Sequence, residues 1–150
     1  MRTGTLLSLP ILVAALAGVA AGVGGYAFAY AKGTSYLGND PATCANCHVM
    51  NGQLEGWQKA SHHGVATCND CHTPSGAARY LTKAENGWHH SLAFTVGGFP
   101  DVIRARAESR AVVEGQCRAC HADLVQSMGW GGDLAEVSCI RCHDSVGHLR

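Results

Sequence analysis

Four copies of one five-residue pattern account for every cysteine in the chain. They are Cys44-Ala45-Asn46-Cys47-His48, Cys68-Asn69-Asp70-Cys71-His72, Cys117-Arg118-Ala119-Cys120-His121 and Cys139-Ile140-Arg141-Cys142-His143. Two thiols three positions apart, followed at once by an imidazole, form the attachment signature of c-type haem. Each cysteine of a pair can form a thioether to one porphyrin, and the adjacent histidine is placed to reach the iron. One copy alone would leave a zinc site, a redox dithiol or part of a disulfide framework open as minority alternatives. Four copies use all 8 cysteines, which leaves no thiols for a disulfide or a Cys₄ zinc site. The motifs predict a tetrahaem cytochrome c.

Low-spin haem takes a second axial ligand, usually another imidazole. The motifs use His48, His72, His121 and His143 and leave five histidines spare: His62, His63, His89, His90 and His148. Surrounded by four irons, most of these are expected to ligate. His148 follows His143 too closely to reach the same iron across a porphyrin, so it is assigned to a different haem. The first motif continues as Cys47-His48-Val49-Met50. Met50 can compete with His48 for the first iron, since a thioether also ligates c-type haem. Alternatively it packs on the ring edge.

Bulk composition limits what can hold these sites. Lys and Arg total 11, as do Asp and Glu, so nothing points to nucleic acid or to a strongly charged partner. Apolar residues make up 47% of the chain, but many of them fall in its first 31 positions. The remainder is short, rich in glycine and cysteine, and thin in Leu, Ile and Phe, which is poor material for an ordinary core. Four macrocycles would supply the missing apolar volume.

Between Arg2 and Lys32 there is no charged side chain, a run longer than the ~20 residues that span a bilayer. Pro10 is placed in its first turns, and Tyr26, Phe28 and Tyr30 gather at its end as an interfacial belt would. Gly18 and Gly22 form a small-residue pair that permits close helix approach and self-association. A cleaved signal peptide is the rival reading, with Ala27-Phe28-Ala29 or Ala29-Tyr30-Ala31 as cleavage site. The length of the run and its terminal aromatics favour a retained anchor. Covalent haem attachment takes place outside the energy-transducing membrane, so the haem sites orient the span.

The expected fold is mainly α with much irregular structure: one transmembrane helix and a small domain cored by haem. Residues 1–5 form a cytoplasmic N-terminus, 6–31 the anchor, 32–43 a linker and 44–150 the tetrahaem domain. Residues 77–96 read as a helix, with Tyr80, Ala84, Trp88 and Leu92 every fourth residue and Leu81 beside them. Lys83, Asn86 and His90 share another face, either plainly solvated or a place where a quinol head group docks. His89 sits nearer Glu85. After the Gly97-Gly98-Phe99-Pro100 break, a second helix is expected from Val102 to Glu114. It would carry Arg104, Arg106 and Arg110 for haem propionates, lipid head groups or water.

One apolar anchor, four Cys-x-x-Cys-His sites and the Cys44-x-x-Cys47-His48-x-Met50 string resemble the NapC/NirT family of membrane quinol dehydrogenases. The compact length, Thr67-Cys68-Asn69-Asp70-Cys71-His72 and the segment closing at His148 are most similar to the small subunits of cytochrome c nitrite reductases. The resemblance implies a bacterial cytoplasmic membrane protein with its haem domain on the periplasmic side. It would oxidise menaquinol and feed a multihaem catalytic reductase. The resemblance also implies that Met50 replaces His48 on a weakly ligated first haem beside the quinol pocket. His72, His121 and His143 become proximal ligands of the second, third and fourth haems. His63 is implied as distal ligand of the fourth haem and His148 of the third, with the second open to a ligand from the partner. Lys83 matches the lysine of the quinol pocket. Seven residues beyond it the family pattern places a carboxylate, where this chain has His90. That imidazole could bind the first haem or accept quinol protons, with proton acceptance favoured. Two other classes compete: a tetrahaem shuttle without a quinol site, and a gas sensor built on the weakly ligated first haem. Quinol reactivity separates the first, and the absence of any signalling domain in the sequence disfavours the second.

Overall fold

The computed structural model describes residues 4–128 and 137–149, with side chains from residue 8 onward. Residues 1–3 of the expected cytoplasmic N-terminus, including Arg2, lie outside the described residues, as do 129–136 and 150 of the expected haem domain. The chain divides into two compact units that meet between Gly38 and Asn39.

The first unit is built on α1, Gly4–Tyr30. Ser8–Tyr30 of this helix forms a 23-residue stretch of mean hydropathy 2.0, long and apolar enough to cross a bilayer. Pro10 lies inside the helix, not at its first position, so it removes one backbone hydrogen bond there. Tyr26 and Tyr30 stack one turn apart with ring centroids 6.1 Å from each other. The helix stops where Lys32 turns left-handed at φ 51°, a conformation that cannot continue an α-helix. A 3₁₀ turn, Gly33–Leu37, follows.

The second unit begins with 3₁₀ turns at Pro41–Asn46 and His48–Met50, so most of the expected linker is already folded. Then come α2 (Asn51–Lys59), α3 (Cys68–His72), α4 (Ala78–Val96), α5 (Ala107–Cys120) and α6 (Ala122–Ser127), and a closing 3₁₀ turn at Cys139–Arg141. No strand occurs among the described residues. α4 occupies the expected stretch, and it ends at Gly97 and Gly98, whose φ of 77° and 79° suit residues without a Cβ.

The helix expected at Val102–Glu114 begins later and runs further, as α5. Residues 103–106 have no regular structure, and Arg106 is extended at φ −63°, ψ 165°. The Arg106 guanidinium meets Glu85 of α4 at 3.0 Å. That cross-link ties the extended segment to α4. Downstream, the third motif is itself helical and carries α5 to Cys120.

The second unit lacks an apolar core of its own. Among the described residues the one buried hydrophobic side chain is Ala60, at 7% exposure, and the one buried polar residue is Thr73, at 4%. α3 packs on α5, and α2 on the Pro41–Asn46 turn.

Candidate functional site

Each motif sits on a short helical turn, because a three-residue separation puts both thiols on one side of a helix. Cys68 and Cys71 lie on α3, Cys117 and Cys120 at the end of α5, and Cys139 on the closing 3₁₀ turn. All eight are unpaired thiols. Among the described residues, no three His, Cys, Asp or Glu side chains converge to hold a metal ion by themselves. The donor set fits macrocycles held by pairs of thiols better than a protein-only metal cage.

The turns are held by specific polar contacts. The Asp70 carboxylate accepts from the backbone N–H of Thr67 at 2.8 Å and from its hydroxyl at 2.7 Å, capping α3 at its start. These two bonds hold the Asp70 carboxyl below its ordinary value. Glu114 of α5 accepts from Ser138 Oγ at 2.6 Å, Cys139 N at 2.9 Å and Ile140 N at 3.2 Å. It also faces Arg118 at 3.7 Å. Burial opposes its ionisation, but the bonds from Ser138, Cys139 and Ile140 outweigh it, and the carboxyl is held below its ordinary value. Glu114 thereby fastens the fourth motif to the helix that carries the third. Sequence reasoning passed over it, since a lone glutamate on an amphipathic helix carries no local signal.

Attachment points of successive motifs are neighbours. The Cys44 thiol is a hydrogen-bond partner of Cys68. The α3–α5 contact brings the second and third motifs together, and Glu114 joins the fourth motif to the helix of the third.

Of the spare histidines, two are oriented like metal ligands. His62 Nδ1 lies 3.2 Å from the Val146 carbonyl and His148 Nδ1 lies 3.0 Å from the Gln53 carbonyl. A carbonyl only accepts, so Nδ1 of His148 carries the proton and its Nε2 keeps its lone pair, as in metal-bound histidines; Nδ1 of His62 has the Ser61 hydroxyl as a second partner, also at 3.2 Å. Each also faces a motif histidine: His62 and His121 have ring centroids 6.0 Å apart, as do His72 and His148. Burial, then the neighbouring His148, lowers the proton affinity of His72 and favours the neutral, ligating form.

This arrangement differs from the implied one. His62 turns inward and His63 does not: the His63 ring meets Trp57 edge-on at 4.5 Å and lines a cavity of about 350 Å³ with Pro41, Val65 and Asp70. Adjacent residues on a turn point in different directions, and counting back from a motif could not separate them. His148 lies beside the second motif's His72 rather than the third motif's His121. The reason is the α2 contact. Leu149 N donates to Gly56 O at 3.1 Å, and a Cβ on Gly56 would sit 2.8 Å from the Leu149 carbonyl. The terminal segment is thus seated on α2, where only glycine fits.

At the first motif, His48 and Met50 share one 3₁₀ turn, with His48 exposed and Met50 half-buried. Lys83 and Asn86 of α4 are half-buried, while His90 on the same face is exposed. Lys83 Nζ donates to Asn39 Oδ1 at 3.3 Å, and Asn69 Nδ2 donates to the same oxygen at 3.1 Å. Lys83 also exerts its charge on Cys44. Asn39, which the sequence reading did not single out, therefore joins α4 to the first and second motifs. His90 lies on the same helix at the surface. Partial desolvation of its ring, then Arg106 and His89, lower its proton affinity. His89 points instead to Glu85, at 3.9 Å.

Arg79, one turn before Lys83, has a buried Nε without a hydrogen-bond partner among the described residues. A haem propionate would satisfy it. With the missing core, the unpaired thiol pairs and the two oriented imidazoles, the residues present fit haem.

Comparison with known proteins agrees. Residues 6–150 match the family model described as the NapC/NirT cytochrome c family, N-terminal region. The cytochrome c-type protein NrfH of Wolinella succinogenes is 37% identical over 142 residues, covering 87% of this chain and 80% of that protein. The cytochrome c nitrite reductase subunit NrfH of Nitratidesulfovibrio vulgaris is 34% identical over 120 residues, covering 80% and 74%. A crystal structure of the cytochrome c nitrite reductase NrfHA complex bound to the HQNO inhibitor contains a similar chain. It has a TM-score of 0.64 and 29% identity, covering 95% of this chain and 91% of that one. With its four attachment motifs and its apolar N-terminal helix, this chain belongs to the NapC/NirT cytochrome c family, as a membrane-anchored cytochrome that binds haem c covalently.

Proposed function

We propose that this chain oxidises menaquinol at the membrane and passes the electrons to the catalytic subunit of a cytochrome c nitrite reductase. Residues 6–31 are the anchor, with residues 1–5 cytoplasmic and the haem domain, 44–150, on the periplasmic side. Four haems, one per motif, would supply the one-electron redox steps. The chain's own work is to hold, orient and deprotonate. Menaquinol loses two electrons and two protons to become menaquinone, so the site needs proton acceptors beside its first electron acceptor.

The observation that carries this reading is the placement of Lys83. It is fixed by Asn39, half-buried, and close enough to Cys44 to act on it electrostatically. Such a cation can orient a quinol hydroxyl and favour its loss of a proton. His90, neutral and on the same helix, is the second acceptor and relays protons outward. Met50 or His48 would hold the first iron. His72, His121 and His143 would hold the others, with further imidazoles available from His62 and His148; the Nδ1 contacts support His62 over His63. His89, turned to Glu85, is left to a surface role. The names of the two NrfH relatives and of the NrfHA complex support a nitrite reductase partner.

The test is rapid-mixing absorbance of the detergent-purified holoprotein with a reduced menaquinol analogue. The haem bands should reduce on a catalytic timescale. Lys83→Met should slow that step by on the order of a hundredfold while haem content and dithionite reduction stay unchanged. Unchanged quinol turnover in the variant would remove Lys83 from the site. No reduction of the wild type, in detergent or in native membranes, would favour a shuttle.

A further inference from the structure

Two side chains of α5 grip the start of the fourth motif. Glu114 Oε1 accepts from Ser138 Oγ at 2.6 Å and from Ile140 N at 3.2 Å, while Oε2 accepts from Cys139 N at 2.9 Å. Arg118, one turn further along the helix, donates to the Val137 carbonyl at 2.7 Å and stands 3.7 Å from Glu114 Oε2. Residues 137–140 are thus held in succession. The grip is largely enclosed, with the Glu114 side chain 13% exposed and that of Arg118 27%.

The socket is specific to a carboxylate. Three donors meet its two oxygens, and a guanidinium lies beside one of them. An amide could serve Ser138 and Ile140 with its oxygen, but its NH₂ would then face Cys139 N and Arg118, donor against donor. Glu114, Cys117 and Arg118 also fall on one face of α5, at i, i+3 and i+4. The grip therefore ties two haem attachment points, Cys117 and Cys139, through side chains that flank the first of them. Little else is available to fix that spacing, since Ala60 is the one buried hydrophobic side chain among the described residues. An enclosed anion has an electrostatic consequence as well. Reduction adds an electron to an iron, so a nearby negative charge opposes it, and Arg118 offsets part of that charge.

We propose that Glu114 is a positioning residue for haem. With Arg118 it fixes the attachment point of the fourth haem against that of the third, and so sets the electronic coupling of the pair and the potential of one member. The proposal rests on one haem per motif and not on quinol oxidation.

The test uses the full-length haem-loaded protein in detergent. Pyridine haemochrome should give one haem per motif in the wild type; a lower content would remove the premise and the proposal with it. Glu114→Gln should keep that content while one haem becomes easier to reduce. Its reduced-to-oxidised ratio at a fixed potential should rise roughly tenfold, or about 59 mV. Circular dichroism of the Soret band, which reads the mutual orientation of neighbouring haems, should change as well. Ser138→Ala keeps the carboxylate and removes one donor, so it should alter the Soret dichroism and leave the potentials in place. Glu108→Gln, in the exposed first turn of the same helix, is the charge control. An equal potential shift in Glu108→Gln would assign the effect to net charge and overturn the proposal. So would a Glu114→Gln protein that melts earlier but keeps the wild-type dichroism and titration, which would leave Glu114 a structural role alone. Should Glu114→Gln fail to take up haem, Ser138→Ala decides: altered dichroism there supports the proposal and wild-type dichroism overturns it.

Discussion

Both units of this protein expose apolar groups or lack apolar packing, for opposite reasons. α1 has an excess: it is apolar all round, and side chains such as Val19, at 63% exposure, find no protein to cover them. The haem domain has a deficit, with Ala60 as its one buried hydrophobic side chain among those described. The first unit needs a solvent of hydrocarbon and the second needs an internal filling. Neither is stable through its own side chains, and each takes its missing apolar partner from outside the polypeptide.

The sharpest way to break this contrast is to remove the filling. Blocking haem attachment should leave residues 39–150 without a cooperative thermal transition, while α1 stays helical and membrane-inserted. A structured, cooperatively melting haem-free domain would refute the idea that the macrocycles are the core. Circular dichroism in lipid nanodiscs reads both regions at once.

The converse change is a charge in the span. Val19→Arg should cost about 3 kcal/mol of insertion and release a fraction of the chains from the membrane. Haem content per protein, measured by pyridine haemochrome, should not change. Loss of haem in this variant would mean that attachment depends on the anchor.

Within the haem domain, Glu114→Gln tests how far polar clasps substitute for a core. Weakening its charge-assisted bonds to the fourth motif should destabilise the domain by about 2 kcal/mol. The carboxyl is held below its ordinary value of 4.5. Its contribution is therefore present above about that pH and is lost as pH falls through the lower folded-state value. The variant should lack this part of the acid sensitivity, which melting curves across that window would reveal.

A smaller effect is expected from Gly56→Ala. The added methyl gains helix propensity but presses on the Leu149 carbonyl, for a net cost of about 1 kcal/mol. Because Leu149 adjoins His148, the low-spin fraction of the absorption spectrum should fall with it. An unchanged spin state would argue that His148 ligates no haem.

Much of this molecule was legible before its structure. Covalent chemistry demands two thiols and an imidazole at one spacing, and that demand is written locally, so the attachment sites could be read residue by residue. The anchor was legible because a bilayer requires length and freedom from charge, and both can be counted. The amphipathic period of α4 was visible for the same reason. The direction that period faces was not. A stripe of Leu81, Trp88 and Leu92 reads as a core face, and only the fold turned it outward.

The remaining decisions were made between segments far apart in the chain. His62 was separated from His63 by the Val146 carbonyl, His148 was aimed by Gln53 and seated by Gly56, and Lys83 was held by Asn39. The sequence by itself determined where the four attachment motifs stand and which stretch is long and apolar enough to cross a membrane, because both depend on neighbours within a few residues. Which histidine has its Nδ1 beside a backbone carbonyl depended on contacts across as many as 95 positions, and those exist only once the chain has folded.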